Sequence, residues 1–132
     1  MNLPVTNIPS RIVVGVDDDY RLRESLASLL ESAGFSTLMF ASAEDFLSSG
    51  ALAQAGCLLT DVCMPRMDGL ELQRRVRLER PALPVVFMTA HNSSDMRRRA
   101  FAGGAIEFLY KPFDAAELLQ VIERALTGPS NA

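Results

Sequence analysis

The chain has 132 residues, enough for one domain and too few for two full cores. With 48% hydrophobic and 22% charged residues it is not a disordered acidic or basic segment. A formal charge of -3 argues against a chain whose main task is to neutralise a phosphate backbone, and nine aromatics without a Trp give little support to a stacking platform for single strands.

Two Cys and one His are too few for an ordinary four-ligand structural zinc site, and a disulfide framework does not suit so apolar a chain. The first ten residues lack the basic run and long apolar core of a signal peptide, and no apolar run approaches the ~20 residues needed to span a bilayer. A soluble, cytoplasmic protein is expected.

After a lead-in over 1–10, Ile12 to Val16 is a continuous apolar run that stops at Asp17, suited to a strand covered on both faces. Leu22, Leu26, Leu29, Leu30 and Ala33 follow at helical spacing, closed by Gly34. Thr37 to Phe40 reads as a second strand, and Ser42 with Asp45 has the spacing of a capping box opening a helix over 43–49. Gly50 and Gly56 bracket a weaker alanine-rich stretch.

Cys57 to Asp61 repeats the first pattern, an apolar run ending on a carboxylate. Pro65 and Gly69 mark a loop, and 70–79 is predicted helical until Pro81. Pro84 to Thr89 is a strand ending on a hydroxyl. Ser93 or Ser94 caps a helix over 95–102, which Gly103 and Gly104 end. Ile106 to Tyr110 is a fifth strand, ending at Lys111 and Pro112, with Tyr110 expected on the opposite face of the sheet from Phe108. Asp114 and Glu117 form a second capping-box pattern, and Leu118, Leu119, Ile122, Ala125 and Leu126 line the last helix over a domain running from 11 to 127. Residues 128–132 read as a tail or the start of a linker.

Five strand–helix repeats imply a doubly wound α/β fold, a mostly parallel five-stranded sheet with helices on both faces. Ligands of such sheets bind beyond the carboxyl ends of the strands. There the sequence places Asp17 and Asp18, then Asp61, Thr89 and Lys111. Packed carboxylates raise one another's pKa or demand a cation, and oxygen-only donors favour a hard ion such as Mg²⁺. A lysine and a hydroxyl opposite the ion suit a phosphoryl group. Asp61, alone on the middle strand, is the natural acceptor. Asp19 reads better as the cap of the first helix than as a metal ligand. His91 has no clearly paired Ser or Cys nucleophile.

The segments VVGVDDD, LLTDVCMPRMDGLEL, VVFMTA and FLYKPF, in that order and spacing, resemble the receiver domain of bacterial two-component response regulators over residues 11–127. The detail is most similar to the branch whose receivers precede a LuxR-type helix-turn-helix domain, as in the nitrogen-fixation regulator. The resemblance implies a flavodoxin-like (βα)5 fold with strand order 2-1-3-4-5. It implies Asp61 as phosphoacceptor, and Mg²⁺, with Mn²⁺ as an alternative, on Asp17, Asp18, Asp61 and the backbone carbonyl of Cys63. Thr89 and Lys111 would bind the phosphoryl oxygens. Phe108 would be the switch aromatic that turns inward, and Cys63 and His91 would modulate loss of the phosphoryl group. The Lys111–Pro112 bond is expected to be cis.

The implied partners are a sensor histidine kinase as donor and a DNA-binding output domain in further C-terminal sequence. A homodimer through the fourth helix, fifth strand and fifth helix would form on phosphorylation. Arg97, Arg98 and Arg99 are either a solvated face or part of that surface, with Glu117 and Glu123 as answering charges. No direct DNA or membrane contact, and no enzymatic turnover beyond self-phosphorylation and slow dephosphorylation, is expected of the chain itself. Two other readings stand beside this one: a single-domain phosphorelay protein, and a small Mg²⁺-dependent phosphatase of the haloacid-dehalogenase type using Asp17 and Asp19.

Overall fold

The computed structural model describes residues 10–127. Each short apolar run becomes a parallel strand: β1 (Ile12–Val16), β2 (Ser36–Phe40), β3 (Cys57–Asp61), β4 (Val85–Thr89) and β5 (Glu107–Tyr110). They pair in the order β2-β1-β3-β4-β5, so β3 is central. The connecting helices are α1 (Tyr20–Ser32), α2 (Ala43–Ser49), α3 (Gly69–Glu79), α4 (Ser94–Ala102) and α5 (Ala115–Thr127). The fold and strand order are those implied by the resemblance, and the expected cis bond is present at Lys111–Pro112. No helix among the described residues is long and apolar enough to cross a membrane.

Strand side chains alternate between two cores. Val13, Cys57, Leu59, Val86, Met88 and Leu109 meet α1 and α5 on one face. Val14, Val16, Leu58, Val85, Phe87 and Phe108 meet α2, α3 and α4 on the other. Every residue of β3 and β4 is buried, so these strands read as apolar runs without alternation, up to Thr60 and Asp61 in β3 and Thr89 in β4.

The caps lie where polar side chains can take orphan amides. Asp19 accepts from the amides of Arg21 and Leu22, Ser42 from Asp45, Asp68 from Glu71, and Ser93 from Met96. The alanine-rich stretch is a 3-10 turn over Ala51–Gln54. Ile106 falls outside β5: its amide donates to the Val85 carbonyl, and its side chain is exposed.

One expectation is overturned. Tyr110 shares a face with Phe108, because residues two apart on a strand point the same way. Their rings meet edge to face, with centroids 5.4 Å apart. The lead-in up to residue 9 and the tail over 128–132 lie outside the described residues. Ser10, the last lead-in residue, donates from its hydroxyl to the Gln54 carbonyl.

Candidate functional site

The strand termini bring acidic, basic and hydroxyl groups to one rim because all five strands run the same way. Asp17 directly follows β1, and its amide donates to the Phe40 carbonyl of β2. Its side chain is buried, yet both oxygens are partnered: Oδ1 accepts from the Asp19 amide at 2.8 Å, and Oδ2 from Lys111 Nζ at 2.8 Å. Asp61 closes β3. Its Oδ1 accepts from the Cys63 amide at 3.2 Å and its Oδ2 from Lys111 Nζ at 3.2 Å. Asp18 stands exposed beside them. Asp17, Asp18 and Asp61 each offer a carboxylate oxygen within 4.8 Å of the others.

This geometry sets the electrostatics. Two carboxylates about 4 Å apart repel by roughly 4 kcal/mol at an effective dielectric of about 20, and a single lysine offsets only part of a three-acid cluster. Burial pushes the Asp61 carboxyl above its ordinary pKa, Lys111 opposes this, and Asp17 adds to it. Burial lowers the Lys111 ammonium, but its hydrogen bond to Asp17 and the charges of both acids outweigh that and raise it.

Asp17, Asp18 and Asp61 offer oxygen alone, the donor chemistry of a hard divalent cation. No hydrogen bond among the described residues uses the Cys63 carbonyl oxygen, which leaves it free to join them. The residues present therefore fit Mg²⁺ or Mn²⁺.

Thr89 ends β4, fully buried, and its hydroxyl accepts from the His91 amide at 3.0 Å. The Lys111 amide donates to the Thr89 carbonyl at 2.7 Å, which ties the lysine backbone to the threonine strand. His91 reaches this corner through its backbone, while its side chain is exposed. Phe108 lies away from the rim in the inward position, 4% exposed, with its ring centroid 6.2 Å from that of Phe87.

Cys63 is half-buried with its thiol 3.9 Å from Met96 Sδ on α4. Burial and the charges of Asp61 and Asp68 raise that thiol above its ordinary pKa, the opposite of an activated thiolate. Burial pushes the Cys57 thiol up to about 12. Both cysteines are free.

The α4 arginines are largely occupied within their own helix. Arg98 and Arg99 pair with Asp95, and Arg97 stacks over Phe101 with 5.0 Å to the ring centroid. Glu123 and Glu107 pair with Arg11 and Arg124 respectively.

Three contributors were not legible from the sequence. Arg23 Nη1 donates to the Asp17 carbonyl at 2.8 Å. Glu44 accepts from the Met67 amide, and Met96 packs on Cys63. No local pattern marks any of them, because each contact links separate elements.

Comparison with known proteins matches residues 13–123 to the response regulator receiver domain. The chain belongs to this family. As a receiver domain it is 39% identical over 111 residues to the transcriptional regulatory protein FixJ of Bradyrhizobium diazoefficiens, covering 84% of this chain and 54% of that protein. It is 38% identical over 115 residues to the response regulator protein TodT of Pseudomonas putida, covering 87% of this chain and 51% of TodT. The solved structure of the response regulator StyR superposes with a TM-score of 0.81 at 46% identity, over 88% of this chain and 59% of that one. The receiver chain thus spans about half the length of these curated relatives.

Proposed function

We propose that this receiver domain accepts a phosphoryl group on Asp61 from the phosphohistidine of a sensor kinase, in the cytoplasm, and converts that charge into a change of partner surface. The observation that carries this reading is the ammonium of Lys111, shared between Asp17 and Asp61 at the carboxyl edge of the central strands. Asp17, Asp18, Asp61 and the Cys63 carbonyl would hold Mg²⁺ or Mn²⁺, which supplies positive charge to the phosphoryl oxygens.

The chain's own residues do the rest. The Cys63 amide holds Oδ1 of Asp61, and so orients the carboxylate that attacks. Lys111 offsets the charge that arrives with the phosphoryl group. Thr89 accepts from the His91 amide and has its hydroxyl proton to donate to a phosphoryl oxygen; turning toward that oxygen would break the His91 bond and release the loop leading to α4. Phe108, Tyr110 and Phe87 form the aromatic stack behind it. Cys63 and His91, at the entrance, would set how readily water reaches the acyl phosphate. A cleft of about 450 Å³ lined by Asp19, Leu22, Ala90, Lys111, Pro112 and Phe113 gives the donor an apolar approach to the rim.

FixJ is named a transcriptional regulatory protein, and about half of its length is matched here. An output domain that binds DNA would occupy the other half of a full-length regulator, with α4, β5 and α5 as the face that dimerises or contacts it. A single-domain relay remains the second reading of the same chemistry. The phosphatase reading has no support in the site, because the Asp19 carboxylate caps α1 rather than facing Asp17.

Incubation with Mg²⁺ and acetyl phosphate, read on a phosphate-affinity gel, tests the proposal. A shifted, alkali-labile species is expected, lost in Asp61→Asn. The same yield of that species from the variant would sink the assignment.

A further inference from the structure

The loop that follows Asp61 is held by backbone hydrogen bonds at its base, and at its tip by side-chain packing and a few bonds to its amides. At the base, the Val62 amide donates to the Met88 carbonyl at 3.1 Å and the Gly69 amide to the Val62 carbonyl at 2.8 Å. The tip, residues 63–67, packs through Met64, which is buried in the core, and through the Cys63 thiol on Met96; its backbone amides have two hydrogen-bonded anchors. The Cys63 amide binds Asp61 Oδ1, and the Met67 amide binds Oε2 of Glu44 at 3.1 Å. Glu44 belongs to the first turn of α2, 23 residues earlier in the chain and on another element.

Two further features converge on this carboxylate. Arg66 adopts a left-handed backbone, with φ of 66°. A non-glycine residue there carries a cost of roughly 1 kcal/mol and persists only when its surroundings hold it. Its guanidinium Nη2 lies 3.8 Å from Glu44 Oε1, a buried atom that makes no hydrogen bond. One carboxylate thus meets the amide of Met67 and the side chain of the strained residue before it.

We propose that Glu44 is a positioning residue for the phosphorylation site: by holding the Met67 amide it fixes the 63–67 loop, and with it the Cys63 carbonyl and the Cys63 amide that orients Asp61. This rests on the phosphoacceptor reading above and adds to it a residue from α2 that touches neither ion nor phosphoryl group. Met64 packing holds the middle of the tip, and the bond from the Met67 amide to a Glu44 oxygen, stronger than one to a neutral acceptor, fixes how its backbone returns to α3. Without it the loop would sample other conformations, and the apparent affinity for the cation would fall by the fraction of time the loop is misplaced.

The test compares Glu44→Ala, Glu44→Gln and Glu44→Asp in the 132-residue chain, reading Mg²⁺ affinity from the backbone amide resonances of Cys63 and Met67. Acetyl phosphate labelling is followed alongside. Glu44→Ala is expected to weaken Mg²⁺ binding about fivefold and to slow labelling, with its helical circular dichroism unchanged. Glu44→Gln keeps an acceptor oxygen for Met67 and should restore both to within about twofold. Glu44→Asp keeps the charge but shortens the reach, so it should resemble Ala, and it stands in for Ala if that variant does not fold. Wild-type affinity in both the Ala and Asp variants, or a Gln variant as weak as Ala, overturns the proposal. Failure of the wild-type chain itself to bind Mg²⁺ and label at Asp61 would instead overturn the phosphoacceptor reading.

Discussion

Lys111 Nζ lies 3.2 Å from Asp61 Oδ2, joining residues 50 positions apart in the chain. The same ammonium reaches Asp17 at 2.8 Å, so it is the cation among the described residues that binds both buried acids of the site. Removing it leaves two desolvated carboxylates facing each other. Lys111→Ala is therefore expected to lose about 2 kcal/mol of stability, less than a fully buried pair because the lysine is partly solvated. Urea denaturation checks this, and millimolar Mg²⁺ should recover much of the loss. A loss that Mg²⁺ leaves unaltered would show that the role is packing rather than charge.

Asp61 gives a pH dependence of defined sign. Its folded-state pKa is raised, chiefly by burial, so the folded protein binds this proton more tightly than the unfolded chain does. Stability from this group is present below the ordinary carboxylate pKa and is lost as pH rises through the raised value. Above that window the ionised side chain is a liability. Asp61→Asn should then raise the melting temperature at neutral pH by about 3–5 °C, corresponding to ~1 kcal/mol. The gain should shrink as pH falls through the raised value and be gone by about pH 4. A variant less stable than wild type at pH 7 would contradict the direction of the shift.

The difference between what the sequence revealed and what it hid lies in the range of the interactions. Asp17, Asp61, Thr89 and Lys111 are legible because each ends an apolar run, and parallel strands put all such ends on one rim. Asp19 is legible as a cap because capping is set within three residues. Strand bounds lie within one residue of expectation, since β3 and β4 are buried throughout and run apolar up to the polar residues that end them. Glu44 and Arg23 were hidden for the converse reason. Each contacts a backbone group on a separate element, and a backbone amide or carbonyl leaves no mark on the sequence. Tyr110, two residues from Phe108, shares its face through the same period-two alternation, against the expectation from sequence.

Gly69 opens α3 hard against the end of β3. A Cβ there would run into the carbonyl of Asp61 and crowd Cα of Val62, backbone atoms that cannot rotate aside. Gly69→Ala must therefore push α3 or the end of β3 out of register. A loss of about 2 kcal/mol or more is expected, beyond the usual range of a surface substitution and opposite in sign to what helix propensity alone gives. Thermal denaturation settles the sign, and slower labelling by acetyl phosphate should accompany it. A stabilised variant would mean that α3 retreats without cost.

Gln73 tests the coupling between α3 and α4. It is 3% exposed, and its Nε2 donates to the Ala100 carbonyl at 3.0 Å, across 27 residues. Arg77, one turn further along α3, donates to the Gly103 carbonyl beside it. Together they latch the last turn of α4 to α3, while the first turn of α4 rests on the Cys63–Met96 contact. Gln73→Leu has similar bulk but leaves the Ala100 carbonyl with only the Ala105 amide beyond the helix end and deletes a buried donor, so a loss of about 1–2 kcal/mol is expected. The more telling measurement is amide hydrogen exchange along α4. Release of the latch should raise exchange over residues 100–105, where the Gly103, Gly104 and Ala105 amides bond back to Arg99, Phe101 and Ala100, and leave α1 and α5 at wild-type rates. Exchange rising equally in all helices would instead mark a uniform loss of global stability, with no separate unit formed by α3 and the end of α4.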